Sequence, residues 1–524
     1  MKNLFCRIII LSSFLWIASC SDDDYYKNED LFDSSQIYKE VTLGVSTGVK
    51  LEGIGVEFDP HFFSQNLTRD DGAVETDWDI VVRRVKAMHI SQFRVMLLPH
   101  WWEPVNDNDD PDNADMSNFT FDSGEMQSLY KVLELAQETD AKVTLVLWGC
   151  PTNMRLLSGN YYNQKHFLCD DRPNYGWVCG TDKYEEFAEN FSVLTKYLVE
   201  TKGYTCVTGI IPFNEPDSHI AGYGRTMWQG DENWADQYAP MAKVLDAKFK
   251  ADGIRDKVLF YLSDNTDGSP AYLKSCTEAL ADEGDVFCSH VYKFGYSSAN
   301  SDIFNWEKQN VEWAQTAGKN HYVGEFGSNE TVGSSRQTDI DYYKRGVLMT
   351  RIALNFLQAG ASGISYWSLL DQYYDRNDDY AQMQQLGLWK YVKEAYASDA
   401  ATYNAISEDY EVRPQYYAYA LLTKYVKAGS DVFPIDLEDE YAVGAAFKDE
   451  EGKWTYVFAN ATDEQKMLEV SNAEATGKFD FYEYAEKTLP ERDSLIEAQV
   501  TNEVEDGQLK IMVNPNSVKL CRQQ

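Results

Sequence analysis

Short apolar runs alternate with longer amphipathic stretches from about residue 39 to residue 427. Eight runs read as strands: Gly53–Phe58, Gln92–Leu98, Lys142–Trp148, Val207–Phe213, Lys257–Ser263, Asp285–Val291, His321–Glu325 and Gly363–Ser368. They are rich in Val, Ile, Leu and Phe and do not alternate with polar residues, the pattern of strands buried on both faces in a parallel sheet. Apolar residues three and four apart predict helices over Asp77–His89, Ser123–Glu138, Asp182–Lys202, Asn233–Ala251 and Tyr342–Ala359. Eight strands with helices between them predict an α/β fold, a (β/α)8 barrel over 39–427. A helix running through Lys427 ends this region. Beyond it the texture changes to short period-two strands: Tyr441–Phe447, Trp454–Asn460, Lys466–Val470, Lys478–Tyr484, Gln508–Val513 and Ser517–Cys521. These predict a small C-terminal β-sandwich over 428–524.

Charge narrows the function. The chain of 524 residues carries 84 acidic and 47 basic side chains, a formal net charge of −37. That excludes nucleic acid as a partner, because phosphate backbones need a basic face. The first residues read as a signal: Lys2 and Arg7 flank an apolar stretch, Ile8 to Ile17, too short to span a membrane. Ala18-Ser19-Cys20 follows and resembles a bacterial lipoprotein site, which implies removal of residues 1–19 and a lipid on Cys20. The acidic run Ser21-Asp22-Asp23-Asp24 resembles the export tag of Bacteroidota surface lipoproteins; residues 20–38 read as a tether to the outer membrane.

Seven cysteines remain after Cys6 and Cys20, an odd number, so at least one is a free thiol. Cys169 and Cys179 bracket a loop they are able to bridge in an oxidising envelope. No Cys-x-x-Cys pair or His-x-x-x-His spacing suggests zinc, and no metal or cofactor is expected.

The chemistry sits at strand ends. The fourth apolar run leads into Phe213-Asn214-Glu215-Pro216, and the seventh ends in Gly324-Glu325-Phe326-Gly327, the two glutamates 110 residues apart. A protonated and an ionised carboxyl facing each other are what glycosidic bond cleavage needs. Glu330 and Glu307 are rivals, but neither ends an apolar run. The Asn-Glu motif, with a second strand-terminal Glu, resembles the signature of clan A glycoside hydrolases. That resemblance implies a retaining β-glycosidase with Glu215 as acid/base and Glu325 as nucleophile. It further implies that Asn214 bonds a sugar hydroxyl and that Arg94, in Gln92-Phe93-Arg94-Val95, holds the nucleophile. Ser289-His290-Val291-Tyr292 resembles the His-x-Tyr pattern of family 5, in which the tyrosine donates to the nucleophile and the histidine touches sugar. Trp367, in Ser365-Tyr366-Trp367-Ser368, matches the clan's stacking platform. Trp148-Gly149-Cys150-Pro151 departs from family 5 and looks more like families 30 and 39; Trp148 is a second candidate platform. Trp101, Trp102, Trp177 and Trp228 are further candidate subsite residues, and Glu57, Asp59, Glu103 and Asp371 candidate contacts to a chain end.

The expected partner is thus a poly- or oligosaccharide, met by a monomer anchored through Cys20. The rival from another class is a non-catalytic glycan-binding lipoprotein on a degenerate barrel, which would have lost one of the two glutamates. Sugar identity, linkage and endo or exo action are not written in these motifs.

Overall fold

The computed structural model describes residues 36–60, 66–69, 72–151, 154–155, 161–162, 165–169, 178–219, 235–330, 337–373 and 383–524. The signal, Cys20, the tether through residue 35, Trp177 and Trp228 lie outside the described residues.

Eight strands close into a parallel barrel: Gly53–Glu57, Gln92–Leu97, Lys142–Leu147, Val207–Ile211, Leu259–Asn265, Val286–Val291, Asn320–Phe326 and Gly363–Tyr366. They are the eight expected runs, with ends moved by one or two residues. The fourth stops early because Pro212 has no N–H to continue the ladder. The fifth runs two residues further than expected and so carries Asp264. Closure joins the last strand to the first, Gly363 opposite Gly53 and Ser365 opposite Gly55. No side chain fits at Gly363 in this seam, where a Cβ would meet the Gly53 carbonyl at 2.8 Å.

Helices cover the barrel with their apolar stripes. Asp77–Met88 opens with a capping box in which the Thr76 hydroxyl and the Asp79 carboxylate each accept from the other's backbone N–H, and it buries Ile80, Val81, Val85 and Met88. Burial of each such side chain contributes roughly 1.5–3 kcal/mol. Two helices of ten residues or more escaped the periodicity reading, Pro270–Ala279 and Asn300–Thr316. The second buries Glu307 and Asn310 beside Ile303 and Val311, so its inner face reads as polar. Glu307 accepts from His321 Nδ1 at 2.5 Å within the core.

The C-terminal unit is a sandwich of a six-stranded antiparallel sheet and a three-stranded sheet. Phe458, Phe479 and Phe481 of the first pack against Leu468, Val470 and Ile511 of the second. The expected boundary needs a correction. Lys39–Thr42 pairs in parallel with Lys466–Ser471, so the start of the supposed barrel span is a strand of the sandwich. Its apolar pattern is too short to reveal which domain it joins. Asp431–Ile435 and Val500–Val504 are also strands beyond those expected. Helix Tyr343–Ala359 seats the sandwich on the barrel. The Tyr343 and Tyr484 rings stack at 4.7 Å, and the Tyr343 hydroxyl donates to the Asn516 carbonyl at 2.6 Å.

Candidate active site

Parallel strands deliver their last residues to one mouth of the barrel, where side chains from different strands converge. Arg94, from the second strand, is the hub. Its Nη1 donates to Glu57 Oε2 at 2.9 Å and Glu325 Oε1 at 2.7 Å. Its Nη2 donates to Asn214 Oδ1 at 2.8 Å and Asp264 Oδ2 at 2.6 Å. One guanidinium thus ties together residues from the first, fourth, fifth and seventh strand ends.

His290 is the second hub. Its Nδ1 lies 2.9 Å from Glu215 Oε1 and 3.4 Å from Glu325 Oε2, and its Nε2 lies 3.1 Å from Asp264 Oδ1. Burial disfavours the imidazolium, but Glu325 and Asp264 outweigh it and hold the His290 pKa well above the usual histidine range. Both ring nitrogens then donate. Burial also works against the Asp264 carboxylate, yet Arg94 and His290 draw its pKa down to about 2. For Glu325 burial prevails over His290 and Arg94 and pushes the pKa up to about 7. Burial likewise raises Glu57, and Asp59 beside it to about 6.

Local backbone aims the two glutamates. Asn214 N–H donates to the Leu147 carbonyl at 2.8 Å, and Glu215 N–H to the Asp264 carbonyl at 3.1 Å. Glu215 therefore leaves the strand pinned between its neighbours, at φ +43°. That left-handed conformation costs a non-glycine residue about 1–3 kcal/mol and persists only where its surroundings enforce it. The Glu215 side chain is 25% exposed, that of Glu325 only 6%. Tyr292 O–H donates to Glu325 Oε2 at 2.7 Å. Gly324 must be small, since a Cβ there would meet Asp264 Oδ1 at 2.9 Å. One carboxylate oxygen of Glu215, one of Glu325 and a His290 nitrogen all lie within 4.8 Å of one another.

No family model and no curated relative matches this sequence. Solved structures do resemble it. A glycoside hydrolase family 30 endoxylanase from Clostridium papyrosolvens superposes with a TM-score of 0.58 at 13% identity, over 93% of this chain and 100% of the other. An endo-β1,6-glucanase gives 0.57 at 16% identity, covering 94% of each chain. A family 39 β-xylosidase from Caulobacter crescentus gives 0.55 at 13%, over 93% of this chain and 100% of the other. The shared feature is the fold, a (β/α)8 barrel with an appended β-sandwich.

Eight of the sequence-predicted site residues come together in the described structure, Trp148 and Trp367 joining the others through a cluster that includes Tyr292. Arg94, Asn214, Glu215, His290, Tyr292 and Glu325 form the polar network above. Trp148 and Trp367 meet edge to face with ring centroids 6.4 Å apart, and Trp367 Nε1 donates to Gln384 Oε1 at 3.0 Å. Trp101 and Trp102 pack inward. Both are buried in the main core, and Trp102 Nε1 donates to the Asn190 carbonyl at 3.0 Å. Of the four supposed chain-end carboxylates, Glu57 belongs to the Arg94 network with Asp59 beside it, and the other two lie elsewhere. Glu57 lies under Arg94, Asp371 pairs with Arg413, and Glu103 accepts from Asn190 Nδ2 at 2.8 Å. Sequence reasoning missed Asp264. It lies one residue past the expected end of its strand, a place where a carboxylate at the barrel mouth warrants the same scrutiny as Glu215.

Proposed function

We propose that the protein is a retaining β-glycoside hydrolase acting on a poly- or oligosaccharide. The observation that carries this reading is the Glu215/Glu325 pair, set within 4.8 Å at the barrel mouth. Retention needs carboxyl groups about 5–5.5 Å apart, whereas inversion needs about 6.5–9.5 Å to admit water between them. Glu325 is the nucleophile. Arg94, Tyr292 and His290 direct donors at its carboxylate, which offsets part of the cost of ionising it where burial holds its pKa at about 7. Its oxygen attacks the anomeric carbon as the bond to the leaving oxygen breaks. Glu215 gives that oxygen a proton from Oε2, because Oε1 accepts from His290. Water then displaces Glu325 from the glycosyl-enzyme, Glu215 taking the water's proton, and the β configuration returns. Asn214 is held by Arg94 beside this pair, suited to bond a sugar hydroxyl, and Trp367 offers an apolar face to a pyranose ring.

Xylans and β-1,6-glucan, named for the structural neighbours, are the first polymers to try, together with aryl β-xylosides and β-glucosides. Glu215→Ala should keep turnover on aryl glycosides with good leaving groups and lose about 10²–10⁴-fold on natural linkages. Equal loss on both classes would contradict the acid/base role.

The same reading places the protein at the outer face of the outer membrane, supported by Ala18-Ser19-Cys20 and the acidic run behind it. Cys20→Ala should release the protein from membranes. Changing Asp22, Asp23 and Asp24 to Ala should leave it anchored but protected from protease added to intact cells. Wild-type protein that resists such protease would move the substrate to an imported oligosaccharide.

A further inference from the structure

A second group of carboxylates lies away from the Arg94 network. Asp107 stands in the long loop after the second barrel strand, and Glu186 and Glu189 on the first turns of helix Tyr184–Lys196. One oxygen from each of the three lies within 4.8 Å of the others. Glu189 is fully buried at 0% exposure, and neither of its oxygens has a hydrogen-bond partner. Glu186 Oε2 is also buried without one. Leaving such groups unmatched costs several kcal/mol per ion, so a bare cluster of this kind is unstable as carboxylates.

No lysine or arginine among the described residues pairs with these three. Lys183 donates instead to the Phe167 carbonyl, and Lys248 pairs with Asp252 at 3.3 Å. Burial raises Glu189 to about 8, with Asp107 and Glu186 adding to it. Asp107 is held rigidly in its loop, one carboxylate oxygen accepting from Asn108 N at 2.8 Å and the other from Asn108 Nδ2 at 3.0 Å and from the Asp115 backbone N–H. Its own N–H donates to Glu103 Oε1 at 3.2 Å.

We infer that Asp107, Glu186 and Glu189 bind a calcium ion that pins the loop after the second strand to the helix after the third. Calcium takes oxygen ligands at about 2.3–2.6 Å, so ligand oxygens spread over almost 5 Å still share one ion. Magnesium, at about 2.0–2.1 Å in a strict octahedron, spans less and holds its waters more tightly. The buried Glu189 oxygens supply the anionic floor, the more exposed Asp107 and Glu186 the rim, and water completes the shell. The site has no cysteine or histidine, so metal-ligand spacings for zinc do not reveal it.

The test uses the full chain, stripped with EGTA and titrated with calcium chloride alone. Equilibrium dialysis should find one calcium per chain, and Tm should rise saturably by ~2–3 °C at one hundred times the dissociation constant. Magnesium at equal concentration should give less than half that rise. Glu189→Gln should abolish the rise, and Asp107→Asn, a milder change in the loop, should raise the calcium dissociation constant at least ~10-fold. If Glu189→Gln does not fold, Asp107→Asn carries the comparison. A stripped wild-type protein that binds no calcium overturns the site. So does an equal response to calcium and magnesium, or one that both variants retain. None of these outcomes depends on glycosidase activity, so the site and the proposed function fail separately.

Discussion

Two of the buried arginines, Arg94 and Arg413, are each bonded to carboxylates and do different things. Arg413 is saturated. Its Nη1 and Nη2 donate to the two oxygens of Asp371 at 2.7 and 2.8 Å, Nη1 also to the Gly387 carbonyl at 2.7 Å, and Nε to Asp341 at 2.9 Å. Tyr396 O–H closes the network on Asp371. Each of the three Arg413 guanidinium nitrogens has a partner. Arg94 faces three carboxylates and His290, its Nε has no partner, and its carboxylates lead out to the partly exposed Glu215. A buried arginine is therefore not a mark of function. The mark is an excess of carboxylates over cations, ending in a group that solvent can reach.

The largest effect that separates the two regions is at Glu325. Glu325→Ala should reduce hydrolysis of aryl β-glycosides below detection, and azide should restore turnover as an α-glycosyl azide, read by NMR. Retained hydrolysis would remove Glu325 from the reaction. Next comes the arginine swap. Arg94→Met should lower kcat/KM by ~10²–10³-fold, because a charge-stabilising donor on the reacting carboxylate is gone. Arg413→Met should leave kcat/KM of the folded enzyme within about twofold, yet destabilise it by roughly 3–5 kcal/mol in urea unfolding, since Asp371 becomes an unpaired buried charge. If the two variants behave alike, the distinction between the networks fails.

A smaller effect concerns pH. A nucleophile acts only when ionised, and Glu325, proposed for that role, has its pKa pushed up to about 7. Activity should therefore fall as pH drops through about 7, not through the ordinary range near 4–5. Arg94 and His290 both lower the Glu325 pKa, so His290→Asn should move this acidic limb to higher pH. A limb that stays in place would show that another group sets it.

Much of this was legible before any coordinates. The eight strands betray themselves because burial on both faces forces continuous apolar runs, and a strand end is where a barrel exposes its chemistry. That is why Glu215, Glu325, Arg94, His290 and Tyr292 were findable, each sitting within or just past such a run. What stayed hidden has physical reasons. Asp264 lies in a strand that continues two residues past its expected end, to Asn265, with Ser263 and Asp264 in left-handed backbone, φ +83° and +47°. Helix Asn300–Thr316 escaped notice because buried Glu307 replaces an apolar residue. Asp371 and Glu103 look like loop charges because their partners, Arg413 and Asn190, are distant in sequence. The pairing of Lys39–Thr42 with the sandwich joins residues more than four hundred positions apart, and no local pattern encodes it.

The most direct test of the central claim is covalent trapping. The protein is incubated with an activated 2-deoxy-2-fluoro-β-glycoside of the sugar it hydrolyses, and its intact mass and peptic peptides are measured. One fluoroglycosyl group per chain is expected, attached to Glu325 in the peptide around Gly324-Glu325-Phe326, and absent from Glu325→Ala. Label on any other residue, or hydrolysis that releases an α-configured sugar with no adduct, would contradict a double displacement through Glu325.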